Sequence, residues 1–222
     1  MNLEVDSMGA GQDKIEAILG YLSNELLRGM LFFNIVKNLR NAYTKRQLTS
    51  ARYFFAGAYE ACLRESLISF SKVVMPNPDS ISIDYLLNCA IQTPRAFPRI
   101  TKDDLQKLVA RHRAQLGAFQ PLLENVKAQR DRILAHLERK HINDPSAVFA
   151  EPIDMSEVEK GFSVLLQIVN AYKRMFDNSE LVLGDIGESI QEDIAYLVQL
   201  IQAVNNLHFE QIQGMFPDSA ES

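Results

Sequence analysis

The sequence predicts an all-α protein, a helical bundle of about five to seven helices with no sheet. Three observations carry that expectation. Apolar residues recur at three- and four-residue spacing over long stretches, capping pairs stand where those stretches begin, and no segment alternates with period two between tight turns as a strand does. No internal repeat or low-complexity tract breaks the pattern. With 222 residues and 47% apolar content the chain can bury one full core. The expected organisation is a flexible N-terminal tail over residues 1–12, a single helical domain over 13–206 and a C-terminal tail over 207–222.

Residues 1–12 are small and polar, after which Asp13 and Glu16 have capping-box spacing ahead of an amphipathic run to about Leu39. Thr49 or Ser50 would cap a second helix to about Val74, with Phe54, Phe55, Ala58, Ala61, Cys62, Ile68 and Phe70 as its apolar content. Its small residues Ala56, Gly57, Ala58 and Ala61 would let another helix approach closely. Met75-Pro76-Asn77-Pro78-Asp79 cannot continue a helix, because each proline lacks a donor and restricts the residue before it; a short helix follows near Ile83 to Ala90. Pro94 and Pro98 bound the next loop, and Thr101 with Asp104 starts a helix that Gly117 and Pro121 kink or divide. Asn143-Asp144-Pro145-Ser146 and Pro152 make a loop, Ser156 with Glu159 opens a helix to about Phe176, and a last helix covers Glu188 to Val204.

The chain holds 23 Lys and Arg against 28 Asp and Glu, which excludes a chain-wide basic field. The charge is unevenly spread. Residues 1–94 carry 9 basic and 9 acidic side chains, residues 95–141 carry 11 and 5, and residues 142–222 carry 3 and 14. The acidic region from Glu151 onward could therefore cover the basic segment and restrain it, a reading that truncation after Phe176 would test. Cys62 and Cys89 lie in apolar helical contexts without CxxC spacing, as buried cysteines of a reducing compartment do, so a cytoplasmic location is expected. No leader-like basic and apolar start and no membrane-length apolar run is present, so no membrane association is expected.

Chemistry concentrates in Arg130-Asp131-Arg132-Ile133-Leu134-Ala135-His136. Arginine keeps its charge and matches phosphate oxygens in a fork, and histidine exchanges protons near neutrality. On a helix, Leu122, Val126, Arg130, Ile133 and Leu137 share one stripe, so Arg130 interrupts an apolar face and should meet an anion. Glu60 or Glu65 could supply it as an ion-pair partner, or a phosphate could. Arg130 and His136 stand about 120° apart around one helix, a gap that long side chains, a local distortion or a second copy of the helix could close.

Arg130-x5-His136, with Asp131 directly after the arginine, resembles the R-x(4-6)-H signature of the HEPN superfamily. The helix containing Ala51-Arg52-Tyr53-Phe54-Phe55, the proline-bounded turn, the segment Ser80 to Leu87 and the Arg-Asp-Arg-x-x-Ala-His order are similar to its abortive-infection branch, over roughly residues 14–176. The resemblance implies a homodimer with two motifs facing across the seam. It also implies a metal-independent endoribonuclease, with no cofactor and no metal, acting as a toxin or defence effector. Arg130 would bind and stabilise the scissile phosphate, His136 would handle the proton of the 2′-hydroxyl or the leaving oxygen, and Asp131 would orient them, giving a 2′,3′-cyclic phosphate.

Around that core of the motif the sequence leaves some choices open. Arg132 lies four residues before His136, on its face, and could bind phosphate instead, although a solvated arginine is the simpler reading. Arg111 and Arg113 could track an RNA backbone or form a solvated helix face around His112. Glu65 could support the site. His136 and His141 are five apart, which suits zinc poorly, and His208 has no companion. Leu137, Glu138 and Arg139 leave no tyrosine after the histidine for a nucleotidyltransferase partner to modify, so an antitoxin of that kind is unsupported, while another antitoxin or a regulatory partner stays open. No phosphate loop, dinucleotide fingerprint or nucleophile elbow is present. The main rival is a catalytically inactive helical interaction module in which Arg130 closes an ion pair.

Overall fold

The computed structural model describes residues 3–45, 47–48, 51–75, 80–134, 154–184 and 186–215, with backbone alone for 3–10, 129–134, 186 and 207–215. Among the described residues there are seven α-helices and no strand. They are α1 (Leu3–Thr44), α2 (Arg52–Val74), α3 (Ile83–Gln92), α4 (Lys102–Ala118), α5 (Gln120–Leu134), α6 (Met155–Phe176) and α7 (Ile186–Met215), with a 3₁₀ turn at Pro94–Ala96. The all-α expectation holds. The chain divides into two compact units, one of Met1–Met30 with Arg64–Val182, the other of Leu31–Leu63 with Leu183–Ser222.

In the first unit α1 buries Ile15, Ile18, Leu19, Leu22 and Leu26, the three- and four-residue stripe of an amphipathic helix. Phe70 of α2 meets Phe162 of α6 edge-on with ring centroids 5.0 Å apart. Close approach depends on two glycines. A Cβ on Gly29 would stand 2.8 Å from Phe162 Cε1, and one on Gly161 would stand 2.8 Å from Phe70 Cε2 and Cζ. Buried Ser66 donates from Oγ to the Gly29 carbonyl at 3.0 Å, tying α2 to α1. The expected small-residue seam of α2 is corrected by this geometry. Ala56, Gly57 and Ala61 are exposed, and a Cβ on Gly57 would meet nothing within 4 Å.

Local signals place several ends. Ser82 accepts from the Tyr85 amide at 3.3 Å to start α3, and Thr93 closes it by donating from its amide to the Cys89 carbonyl at 2.8 Å. Thr101 Oγ1 accepts from the Asp104 amide at 3.2 Å and donates to Asp104 Oδ2 at 2.8 Å, as its spacing predicts. Gly117 and Pro121 divide rather than kink the run: α4 ends at Ala118 and α5 starts at Gln120, with Pro121 in a first turn where its missing N–H costs nothing.

Three helices differ from expectation. The first begins at Leu3, not at Asp13, and ends at Thr44 rather than Leu39, because a capping-box pair inside a chain that is already helical has no free end to cap. The sixth begins at Met155, capped by Asp154, whose Oδ1 accepts from the Ser156 amide at 2.8 Å; Ser156 donates rather than caps. The last runs from Ile186 to Met215, beyond the expected Glu188–Val204 and into the segment read as a tail, since no Pro or Gly stops it until Gly214. The Thr49 or Ser50 cap, the turn at Pro76–Asp79 and the loop containing residues 143–146 and Pro152 lie outside the described residues.

After α6, Asp177 accepts from the Ser179 amide and hydroxyl at 2.8 and 2.6 Å, and Asn178 takes φ 67°, a left-handed conformation that Asn tolerates better than most residues. Buried Asn170 then clamps the returning chain, donating to the Leu181 carbonyl at 3.0 Å and accepting its amide at 2.7 Å. In the second unit Leu39, Ala42, Leu48, Phe55 and Val198 form a core, with Ile194 and Ile201 of α7 packed on it. Two helices of the acidic C-terminal region contribute to the cores: α6 buries Val158, Phe162 and Tyr172 in the first unit, and α7 buries Val198 in the second.

Candidate functional site

The candidate site is built on α5. Leu122 and Val126 are buried on one face, while Glu124 and Lys127 are exposed, so the four-residue step of the stripe is what anchors this helix. Leu122 Cδ2 stands 3.4 Å from where a Gly161 Cβ would be, which places α5 beside α6. The helix continues without a break to Leu134, and Arg130, Asp131 and Arg132 belong to it by their backbone, Arg130 one turn beyond Val126. His136 and His141 lie outside the described residues.

Glu65 belongs to a different contact. Arg28 Nε of α1 donates to its Oε1 at 2.8 Å, with the two side chains 53% and 27% exposed, so this carboxylate serves an α1–α2 ion pair. Glu60 is exposed. Arg111 is exposed, whereas Arg113 is engaged: its Nη2 donates to Asn88 Oδ1 at 2.5 Å and its Nε lies 3.9 Å from Asp84 Oδ1, linking α4 to α3. Lys14 of α1 stands over the Tyr85 ring of α3, 5.1 Å from its centroid, and the Tyr85 hydroxyl holds its ammonium above the usual lysine range.

Between the two arginines, His112 is buried, 4% exposed. Its Nδ1 lies 3.4 Å from the Tyr172 hydroxyl, and the rings meet edge-on with centroids 5.5 Å apart. Burial first and the Arg111 charge second pull its pKa down to about 4, and burial pushes the Tyr172 phenol up. Reading Arg111-His112-Arg113 as one basic cluster missed this residue. The signal was present: Leu105, Val109 and His112 follow steps of four and three, the core face of α4. Cys89 is buried as expected, and Cys62 is half-buried, its thiol pushed up by burial. Among the described residues, no group of three or more His, Cys, Asp or Glu side chains is placed to hold a metal ion, and no helix is long and apolar enough to cross a membrane.

The helical order, the α5 placement of Arg130-Asp131-Arg132 and the motif spacing bear on one family model, that of AbiU2, a HEPN-type abortive-infection family, which matches residues 12–197. The chain belongs to the AbiU2 family of HEPN domains. No curated protein and no solved structure matches it. The AbiU2 match runs from α1 past Ile194 of α7, and it includes all of α5 and the motif.

Proposed function

We propose that this AbiU2-family chain is an endoribonuclease of the HEPN type, a toxin or defence effector that cleaves cellular RNA. The observation that carries the reading is Arg130-x5-His136, opening on α5 in a chain whose family is HEPN. The 2′-oxygen of a ribose attacks the adjacent phosphorus, the 5′-oxygen of the next nucleotide leaves, and a 2′,3′-cyclic phosphate remains. Arg130 stabilises the charge gathering on the phosphate oxygens, His136 carries the proton between the attacking and leaving oxygens, and Asp131 orients the pair. Because this step needs an internal nucleophile held in line, positioning and charge stabilisation supply most of the barrier reduction, with no cofactor or metal called for. Six residues of regular helix would turn the two motif positions about 120° apart, a spacing that favours a working site formed by two copies of the chain in a homodimer. An antitoxin or other regulatory partner would act on this site or on its dimer seam.

The inactive-module reading has Arg130 closing an ion pair with Glu60 or Glu65, and the Arg28–Glu65 pair at 2.8 Å removes support from the second of these. Thermal unfolding of Arg130→Ala separates the two readings. A solvent-lined catalytic arginine leaves the melting temperature near wild type while cleavage is lost; a buried pair would leave a carboxylate stranded and cost about 3 kcal/mol or more.

A further inference from the structure

In the second unit, α1 ends, turns and gives way to α2 in a stretch where aromatic and basic residues interleave: Arg40, Tyr43, Lys45, Arg52, Tyr53 and Phe54. The segment Leu31–Leu63 carries five basic residues against Glu60 alone. Tyr43, Tyr53 and Phe54 are 65%, 79% and 72% exposed, so these rings are open to solvent. Tyr53 and Phe54 are also held in place. Phe54 packs edge-on against core Phe55 with centroids 5.3 Å apart, and the Arg52 guanidinium lies 4.6 Å from the Tyr53 ring centroid while donating to its hydroxyl at 2.7 Å.

Beside this corner a pocket of about 330 Å³ opens between α1 and α7. Its polar wall is made of amides: Asn38, Asn41, Gln47, Gln191, Gln199 and Gln202. Among the described residues, the side chains of Asn41, Gln47, Gln191, Gln199 and Gln202 make no hydrogen bond, and Asn38 spends only its Nδ2, on the Asn34 carbonyl at 3.0 Å. Among the described residues, Lys45 is the one charged member of the lining and no carboxylate joins it, although α7 carries exposed Glu188, Glu192 and Asp193. The apolar lining is Ala42, Ile194, Ala195 and Val198, of which Ala42 and Val198 belong to the same core cluster as Phe55 and Ile194 packs against it.

We propose that this corner binds single-stranded RNA, with a base edge read by the amide-lined pocket, Lys45 on a phosphate, and neighbouring bases stacked on Tyr43, Tyr53 and Phe54. Amides present a donor and an acceptor side by side, as the edges of unpaired bases do, and rings with adjacent cations form the stacking platform of single-strand binders. A pocket of this volume suits one nucleotide-sized ligand. An acidic peptide would instead call for more than the one lysine that the described lining holds, and an apolar peptide would leave the six lining amides without partners. The proposal rests on the ribonuclease reading for its choice of RNA, and it would give that activity a substrate-holding surface apart from the α5 motif.

The test is binding of a fluorescent, short, mixed-sequence RNA to the full chain carrying His136→Ala, read by anisotropy so that cleavage does not consume the probe. Replacing Tyr53 and Phe54 together by Ala should weaken binding by about tenfold or more. Gln191→Ala with Gln199→Ala should weaken it severalfold. Lys45→Ala should weaken it and lower the salt slope by about one ion. Lys160→Ala, which removes a cation on α6, should change little; circular dichroism confirms that each surface variant is folded. Unchanged affinity across the three corner variants, or no binding at all, overturns the proposal. The two proposals fail separately. Cleavage with corner variants that bind normally would leave the ribonuclease and remove this site, whereas corner-dependent binding by a wild type that cannot cleave would do the reverse.

Discussion

Lowering the pH from 7.5 to 5 should destabilise this protein by about 2 kcal/mol through His112 alone. The imidazole is buried beside Tyr172, and its pKa falls from 6.5 to about 4, chiefly through desolvation and secondly through Arg111. The sign follows from where the proton binds. Above pH 6.5 both folded and unfolded chains hold a neutral His112 and the contribution is complete. As pH falls through 6.5 the unfolded chain takes a proton that the folded chain resists, so stability drops; below about 4 both carry it and the drop ends. At pH 5 the two protonation polynomials differ by a factor of about thirty, and 1.36 kcal/mol per decade converts that to about 2 kcal/mol. The depressed carboxylates of Asp104, Asp154 and Asp177 lose their contribution only as pH falls below the ordinary aspartate value of 3.8, outside this window. Urea unfolding of wild type and His112→Asn at both pH values is the assay. Asn keeps a polar atom near the Nδ1 position and cannot titrate, so its constant packing cost cancels within each protein's own comparison. The wild type should lose about 2 kcal/mol more than the variant between the two pH values; parallel losses would refute a buried, neutral His112.

Glycines give a second, opposed pair of outcomes. Gly161→Ala puts a Cβ 2.8 Å from the buried ring of Phe70 and should destabilise by about 1–2 kcal/mol after the helix-propensity gain, whereas Gly57→Ala meets nothing within 4 Å and should stabilise by up to about 1 kcal/mol; urea midpoints check both. Asn170→Ala removes two hydrogen bonds to Leu181, at 3.0 and 2.7 Å, and should cost about 2 kcal/mol and speed amide exchange at Leu181, read by hydrogen exchange.

What the sequence made legible was local. The Thr101–Asp104 cap, the break between Ala118 and Gln120, and the ends of α2 at Val74 and α6 at Phe176 each depend on residues within one turn, and all were readable from spacing. Asp154 was missed because several capping residues stand within a few positions and only the backbone decides which oxygen reaches the free amides. Glycine roles were misassigned for the opposite reason: Gly29 and Gly161 matter through Phe162 and Phe70, partners distant in sequence, while the small residues of α2 that looked suited to close packing face outward at Ala56, Gly57 and Ala61. His112 was hidden by its arginine neighbours although its helical phase is that of the core. For the site, the spacing of Arg130, Asp131 and His136 and the family it resembles were legible, and α5 carries the first two on a helix anchored by Leu122 and Val126. Glu65 was not, since its partner Arg28 comes from α1.

The central claim is tested most directly by incubating mixed cellular RNA with purified wild type and His136→Ala, side by side in EDTA, and determining the chemistry of the new ends. Wild type alone should cleave, leaving 2′,3′-cyclic phosphate ends. Cleavage by both proteins would contradict the role of His136, and a folded, dimeric wild type that leaves RNA intact would contradict the ribonuclease reading itself.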